Sequence, residues 1–239
     1  FNAADTIVVG KFSGSNSLAA VGATASLINL LIGLFIGISI GADILIARYI
    51  GSRQREQTQT AVHTAMVLSV ILSVIVTVLG LCLSEPLLRM MDTPEEILPL
   101  SALYLRIYFL GMPGNIIYNF GAAVLRADGD TKRPLIFLSI SGVVNVILNL
   151  VLVIVFKLDV AGVAIATDVS QYVSLALLLR CLLREQGWCR VELKKLRLDG
   201  RDALRMIQIG LPAGLQSVIF NISNVMIQSA VNSFGSTVI

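Results

Sequence analysis

Four side chains that water would ordinarily claim stand in stretches that are otherwise apolar: Asp5, Asn145, Asn149 and Thr167. One carboxylate, two amide oxygens and a hydroxyl are hard oxygen ligands, the kind a bare Na+ ion can use. A carboxylate removed from water also favours its neutral form, so the same group can carry a proton. On either chemistry Asp5 is the coupling group. The asparagines and the threonine have a second reading, as hydrogen-bonding bridges between packed helices, and the residues by themselves leave both open.

Positioning such groups is the task of the surrounding sequence. Hydrophobic residues make up 56% of the 239 positions and charged residues 14%, with mean hydropathy +0.84. A soluble domain is nearer half apolar and a quarter charged. The excess implies lipid as solvent and excludes disorder, and a net charge of +3 makes no case for a nucleic-acid partner. A helix crosses the hydrocarbon with roughly 20 apolar residues. Runs of that kind cover 1–10 (a partial one), 17–47, 58–83, 97–125, 134–156, 160–179 and 206–239. The expected fold class is an all-α integral membrane protein, a polytopic helical bundle in contact with membrane lipids.

The connections carry turn chemistry. GKFSGSN follows the first run, Thr93-Pro94-Glu95-Glu96 reads as a capping box with proline at the first helical position, and Phe-Gly-Ser at 234–236 reads as a turn. Only 180–205 is long, polar and basic, which predicts an amphipathic or irregular segment on the membrane surface. Alternate connections hold 14 and 3 of the Lys and Arg residues, with Arg106 left inside a run. By the positive-inside rule the richer side, including 180–205, is cytoplasmic, as for a multi-pass protein of a bacterial inner (plasma) membrane. Phe1 in place of methionine, and no polar tail after Ile239, read as truncation at both ends.

With that topology the 1.5 Å helical rise gives depths. Asp5, six residues before Lys11, lies about 9 Å below the outer interface. Asn149 and Thr167 lie about 12 Å deep, counted from Lys157 and Asp159, and Asn145 roughly 18 Å. Three helices thus bring oxygen-bearing groups to similar depth. Asn145 and Asn149, four apart, share a helix face. A charge within a span costs a few kcal/mol and is a functional candidate by default. Asp43 sits about 7 Å from the cytoplasmic face, where an ion pair, a gate or a cap would explain it. Asp168 points about 100° away from Thr167. It and Gln171 are candidates for lining a cavity or a gate, or for satisfying a neighbouring helix. Gly33, Gly37 and Gly41 form a small-residue ridge suited to close helix packing, and Pro113 predicts a kink. Cys82, Cys181 and Cys189 lack metal-site or CxxC spacing, and His63 reads as a packed or interfacial histidine, with pH sensing as the alternative.

There is also a short internal repeat. FNAADTIVVG at residue 1 aligns with FNISNVMIQS at residue 220, placing Asp5 over Asn224. Six helices fill the interval, which implies two six-helix halves of the same orientation.

Six strings, in this order, resemble the multidrug and toxic compound extrusion (MATE) family: ADTIVVGKFSGSNSLAAVG, GADILIARYIGSRQRE, LRADGDTKRP, NVILN, GVAIATDVSQ and, resembling the family's seventh helix, IGLPAGLQSVIFNISNVMIQSAVNSFGS. The resemblance covers essentially the whole chain. It implies twelve helices in two lobes around an outward V-shaped cavity, with 1–179 as the first lobe, 180–205 as the inter-lobe loop and 206–239 as the first helix of the second lobe. It implies no enzyme and no cofactor, but alternating-access export of small amphiphilic, often cationic compounds in exchange for H+ or Na+, by a protein that is monomeric when full length. It matches Asp5, Asn145, Asn149 and Thr167 to a first-lobe cation site, adds the backbone carbonyl of Val163, and makes a Na+ ion at those residues an option. Asn149 departs from the aspartate often found there, which leaves Asp5 as the cluster's single carboxylate and tilts the reading toward a proton. The alternative within the superfamily is a flippase for lipid-linked sugars, which would want cations lining the cavity. An intramembrane enzyme would need paired catalytic groups at helical spacing, and a channel a filter sequence. Neither is present in the sequence.

Overall fold

The structure, a computed structural model, describes residues 2–12, 15–91 and 93–233. The turn expected at 234–236 and the side chains of the second repeat copy at 221, 222 and 224–233 lie outside the described residues. Seven helices follow one another: α1 (Asn2–Phe12), α2 (Ser15–Gly51), α3 (Arg55–Met90), α4 (Leu98–Ala127), α5 (Lys132–Leu150), α6 (Asp159–Arg184) and α7 (Gly200–Ser233). A π-helical turn, Val151–Val155, extends α5, and a short 3-10 turn, Leu193–Lys195, interrupts the connector before α7. There is no strand among the described residues.

α5 is inverted relative to a helix of a soluble protein. On α5 the buried residues are Pro134, Ser141, Asn145 and Asn149, while Leu135, Ile136, Leu138, Ile140, Val143, Val146 and Ile147 are exposed. A soluble helix buries its apolar stripe and exposes its polar one. Here the apolar face meets lipid, and the polar stripe of Ser141, Asn145 and Asn149, at intervals of four residues, turns inward. Among the described residues, five helical segments are long and apolar enough to cross a membrane: Asn16–Gly51, Arg55–Met90, Lys132–Val155, Asp159–Arg184 and Gly200–Phe220. The span expected over 97–125 forms a 30-residue helix, α4, but is not among them. The reason lies in its middle, where Gly111, Pro113, Gly114, Asn115, Asn119 and Gly121 dilute its hydropathy. α4 packs against α2, α3 and α6 and buries Leu105, Phe109, Met112, Ile116 and Phe120.

Several sequence expectations change. The Thr93 capping box does not form: α4 starts at Leu98, its N-cap Ile97 makes no side-chain cap bond, and the proline of its first turn is Pro99. α4 continues through Pro113, a continuity compatible with the expected kink. The 180–205 segment is helical at both ends, since α6 reaches Arg184 and α7 begins at Gly200. Its middle is held down, with Cys189 and Val191 buried, and burial pushes the Cys189 thiol up to about 12. The glycine ridge is a close-packing face, and its partner is α7. A Cβ at Gly37 would lie 2.1 Å from the Gly214 Cα, and one at Gly41 2.0 Å from the Met206 carbonyl. Backbone touches backbone along this seam.

Candidate functional site

α1 carries Asp5 into the angle between α5 and α6. The carboxylate is fully buried, and each of its oxygens accepts a hydrogen bond from a different helix. Asn149 Nδ2 donates to Asp5 Oδ1 at 2.7 Å, and Thr167 Oγ1 donates to Asp5 Oδ2 at 2.9 Å. The cluster continues one layer deeper, where Asn145 Nδ2 donates to Thr167 Oγ1 at 3.2 Å and Asn149 Nδ2 also reaches Asn145 Oδ1 at 3.3 Å. All four residues are at most 1% exposed. The depths expected from helical rise therefore converge: three helices meet at one layer, and Asn145 reaches up to it from one turn below.

The local sequence explains the meeting. Asn145 and Asn149 occupy successive positions of the inward polar stripe on α5, and the change to π-helical bonding begins two residues later. On α6, Gly162 is buried, and a Cβ there would meet Leu152 and Leu158 at 3.1–3.3 Å. The α5–α6 return is pinned by Ser17, which donates to Asp159 Oδ2 at 2.8 Å. Lys157 and Asp159 both take positive φ (53° and 51°) in this tight return between α5 and α6.

The cluster holds donors facing a carboxylate, plus one spare acceptor. The buried Asn149 Oδ1 has no hydrogen-bond partner among the described residues. Val163 is fully buried one turn before Thr167 on α6. Asp168 and Gln171 are buried too, and they go elsewhere. They pack onto the glycines of α4: a Cβ at Gly111 would lie 2.0 Å from Asp168 Oδ1, and one at Gly114 3.2 Å from the Gln171 Cβ. Both Asp168 Oδ1 and Gln171 Oε1 are buried without a partner among the described residues. This places the two at the α4–α6 seam rather than with Asp5. Asp43 makes the local ion pair, with Arg126 Nε 3.2 Å from its Oδ2, and ties α2 to α4. Arg106 is half exposed and pairs with Glu85 at 3.3 Å.

Sequence reasoning missed Tyr104 and Tyr108. Both are buried on α4, with ring centroids 6.1 Å apart, within electrostatic range of both Asp5 and Asp168. Their four-residue spacing puts them on one helix face, a signal available in the sequence that was not used.

Residues 1–151 match the family model MatE. The whole chain aligns at 29% identity with 53% of the Bacillus subtilis (strain 168) protein named "Probable multidrug resistance protein YpnP". It aligns over 99% of its length, at 28% identity, with 55% of the FAD transporter of Shewanella oneidensis. Among solved structures, the outward-facing conformation of a multidrug resistance MATE family transporter of the MOP superfamily superposes with a TM-score of 0.91 at 26% identity. That match covers 99% of this chain and 52% of the other. The chain spans about half the length of the relatives it matches.

Proposed function

Since the chain belongs to the MatE family, whose members are transporters and not enzymes, we propose that it forms the first lobe and following helix of a secondary antiporter. The antiporter exports organic, often cationic compounds by alternating access, and Asp5 couples export to an inward gradient of H+ or Na+. The observation that carries this reading is Asp5 itself: a fully buried carboxylate at the junction of three helices, hydrogen-bonded to Asn149 and Thr167. An ionised group so placed is costly. It is sustained by function or by neutralisation, and coupling supplies both.

The donor set favours the proton. Thr167 is a hydroxyl, which can donate or accept. Facing an ionised Asp5 it donates, as seen at 2.9 Å. Facing a protonated Asp5 it can accept at the same distance and turn its own hydrogen toward the carbonyl one turn back, Val163, the usual acceptor for a helical threonine. The amide of Asn149 offers its N–H to Asp5 in either state. A Na+ ion would instead need oxygen atoms turned toward Asp5, and the two nearest protein groups present hydrogens. Loading a proton thus rewires a bond between α1 and α6 without moving heavy atoms far, and exchanging it for substrate lets α1 move relative to α5 and α6.

The arginine-rich side, with the connector, faces the cytoplasm on this reading, and the membrane is the bacterial inner membrane. Residues 1–179, 180–205 and 206–239 serve as first lobe, connector and start of the second lobe of a monomer. The flippase alternative gains nothing from Arg106, which is paired to Glu85 on an exposed face. The test is efflux from vesicles holding the full-length protein, with ΔpH and ΔNa+ imposed separately and a fluorescent organic cation and FAD compared as substrates. Export driven by ΔpH alone supports the reading; export indifferent to both gradients overturns it.

A further inference from the structure

The chain's one histidine, His63, is spent on the connector between α6 and α7. Its ring is 4% exposed on α3. Nδ1 lies 2.7 Å from the Gln59 carbonyl oxygen, and Nε2 lies 3.1 Å from the backbone nitrogen of Glu192. The partners fix the protonation state. A carbonyl can only accept, so Nδ1 carries the hydrogen; a backbone N–H can only donate, so Nε2 must be bare. The ring is therefore neutral, in one tautomer. The next residue repeats the contact, since Thr64 Oγ1 accepts the backbone N–H of Asp199 at 3.1 Å. Two adjacent α3 side chains thus hold both ends of the stretch that contains the 3-10 turn Leu193–Lys195.

We propose that His63 is a pH-sensitive latch: neutral, it holds the Glu192 end of the connector against α3, and protonated, it releases it. A second proton on the ring must go to Nε2, and it would then point at the Glu192 N–H, donor against donor. Histidine is the side chain that ordinarily changes charge between pH 5 and 8. Lys195 and Arg197 from the connector and Glu56 from α3 line the cavity beside the ring. Glu192 is held below the usual carboxylate range, first by the hydrogen bond from Lys195 and also by the charges of Lys195, Arg190 and, when its ring is protonated, His63. Asp199 is held below it by the Asp202 backbone N–H. Among the described residues, none of α2 or α4 lines that cavity. The latch stands on this geometry alone. Its consequence, that acidification on the connector side loosens the joint between α6 and α7, rests on the transport reading.

Hydrogen exchange on the full-length protein in nanodiscs between pH 7.5 and 5.5, corrected for intrinsic rates, tests the latch. Protection of the Glu192 amide should fall about fivefold, the ratio that losing one hydrogen bond implies, while that of the Asp199 amide holds. In His63→Gln the side-chain oxygen can accept the same N–H without titrating, so protection should stay flat. Nitrogen-15 histidine NMR, with the His63→Gln difference as assignment, should show the Nδ1–H tautomer at pH 7.5. Protection independent of pH in the wild type, an unchanged pH response in His63→Gln, or the Nε2–H tautomer each overturns the proposal.

Discussion

Replacing Gly37 with alanine adds one methyl group where α2 meets α7. The built Cβ lies 2.1 Å from the Gly214 Cα, 2.2 Å from its nitrogen and 3.0 Å from the Gly210 carbonyl oxygen. Carbon atoms pack at about 3.5–4.0 Å, so the helices must part by roughly 1.5 Å, and backbone atoms cannot rotate aside as a side chain can. Overpacking of this kind costs about 1–3 kcal/mol and occasionally more. Alanine is intrinsically better in a helix than glycine by about 1 kcal/mol, so the net effect is a loss set by the seam. Gly22 and Gly142 supply the control, because a Cβ at either meets nothing within 4 Å. There the propensity gain acts alone, and the same substitution should be neutral or stabilising. Thermal unfolding midpoints of the full-length variants in one detergent give the comparison. Gly37→Ala should melt below wild type, and Gly22→Ala and Gly142→Ala at or above it. If Gly37→Ala melts with the two controls, α2 and α7 do not touch through these glycines and the seam is wrong.

Three further outcomes follow from other parts of the structure. Asn149→Asp would set a second carboxylate against Asp5 at the present 2.7 Å contact; two such groups cannot both stay ionised without a cation between them, so Na+ but not K+ should raise the thermal midpoint of this variant and leave wild type unmoved. Asp199, whose carboxylate accepts the backbone N–H groups of Arg201 and Asp202 at 3.0 and 3.1 Å, is depressed in the folded state first by the Asp202 N–H. Its contribution is therefore present above the unfolded aspartate value of about 3.9 and lost as pH falls through the lower folded one, so exchange in the first turn of α7 should quicken there and not in Asp199→Ala. Asp43 and Arg126 are partly exposed, 25% and 35% by side chain, so Asp43→Asn should cost no more than about 1 kcal/mol, read as a small drop in thermal midpoint with efflux retained.

The sequence held the helices because apolar length is a direct record of a lipid solvent, and it held the cluster because polar residues in such runs are few. Depth counting alone brought Asp5, Asn149 and Thr167 to one layer, since a helix converts residue number into distance at a fixed rate. Direction was harder. Asp168 adjoins Thr167 in the chain yet belongs to the α4 seam, because its place depends on the missing side chain of Gly111, which no spacing rule reports. Helix ends were harder still. The Thr93 box matched a capping pattern, but tertiary packing started α4 at Leu98, and the basic connector concealed two helix ends and a histidine contact. The glycine ridge on α2 was visible, whereas its partners, Gly210 and Gly214, lie more than 160 residues away and could be joined to it only in three dimensions.

Asp5→Asn in the full-length protein, reconstituted in vesicles under an imposed ΔpH, bears on the coupling role more directly than any other change. The amide keeps the size and the buried position and removes the ionisable group. Coupled export of a fluorescent organic cation should disappear, while insertion, thermal midpoint and substrate binding persist. A variant that still exports the cation against its gradient, at the wild-type rate and with the wild-type response to ΔpH, would show that the coupling proton travels by a route that does not include Asp5.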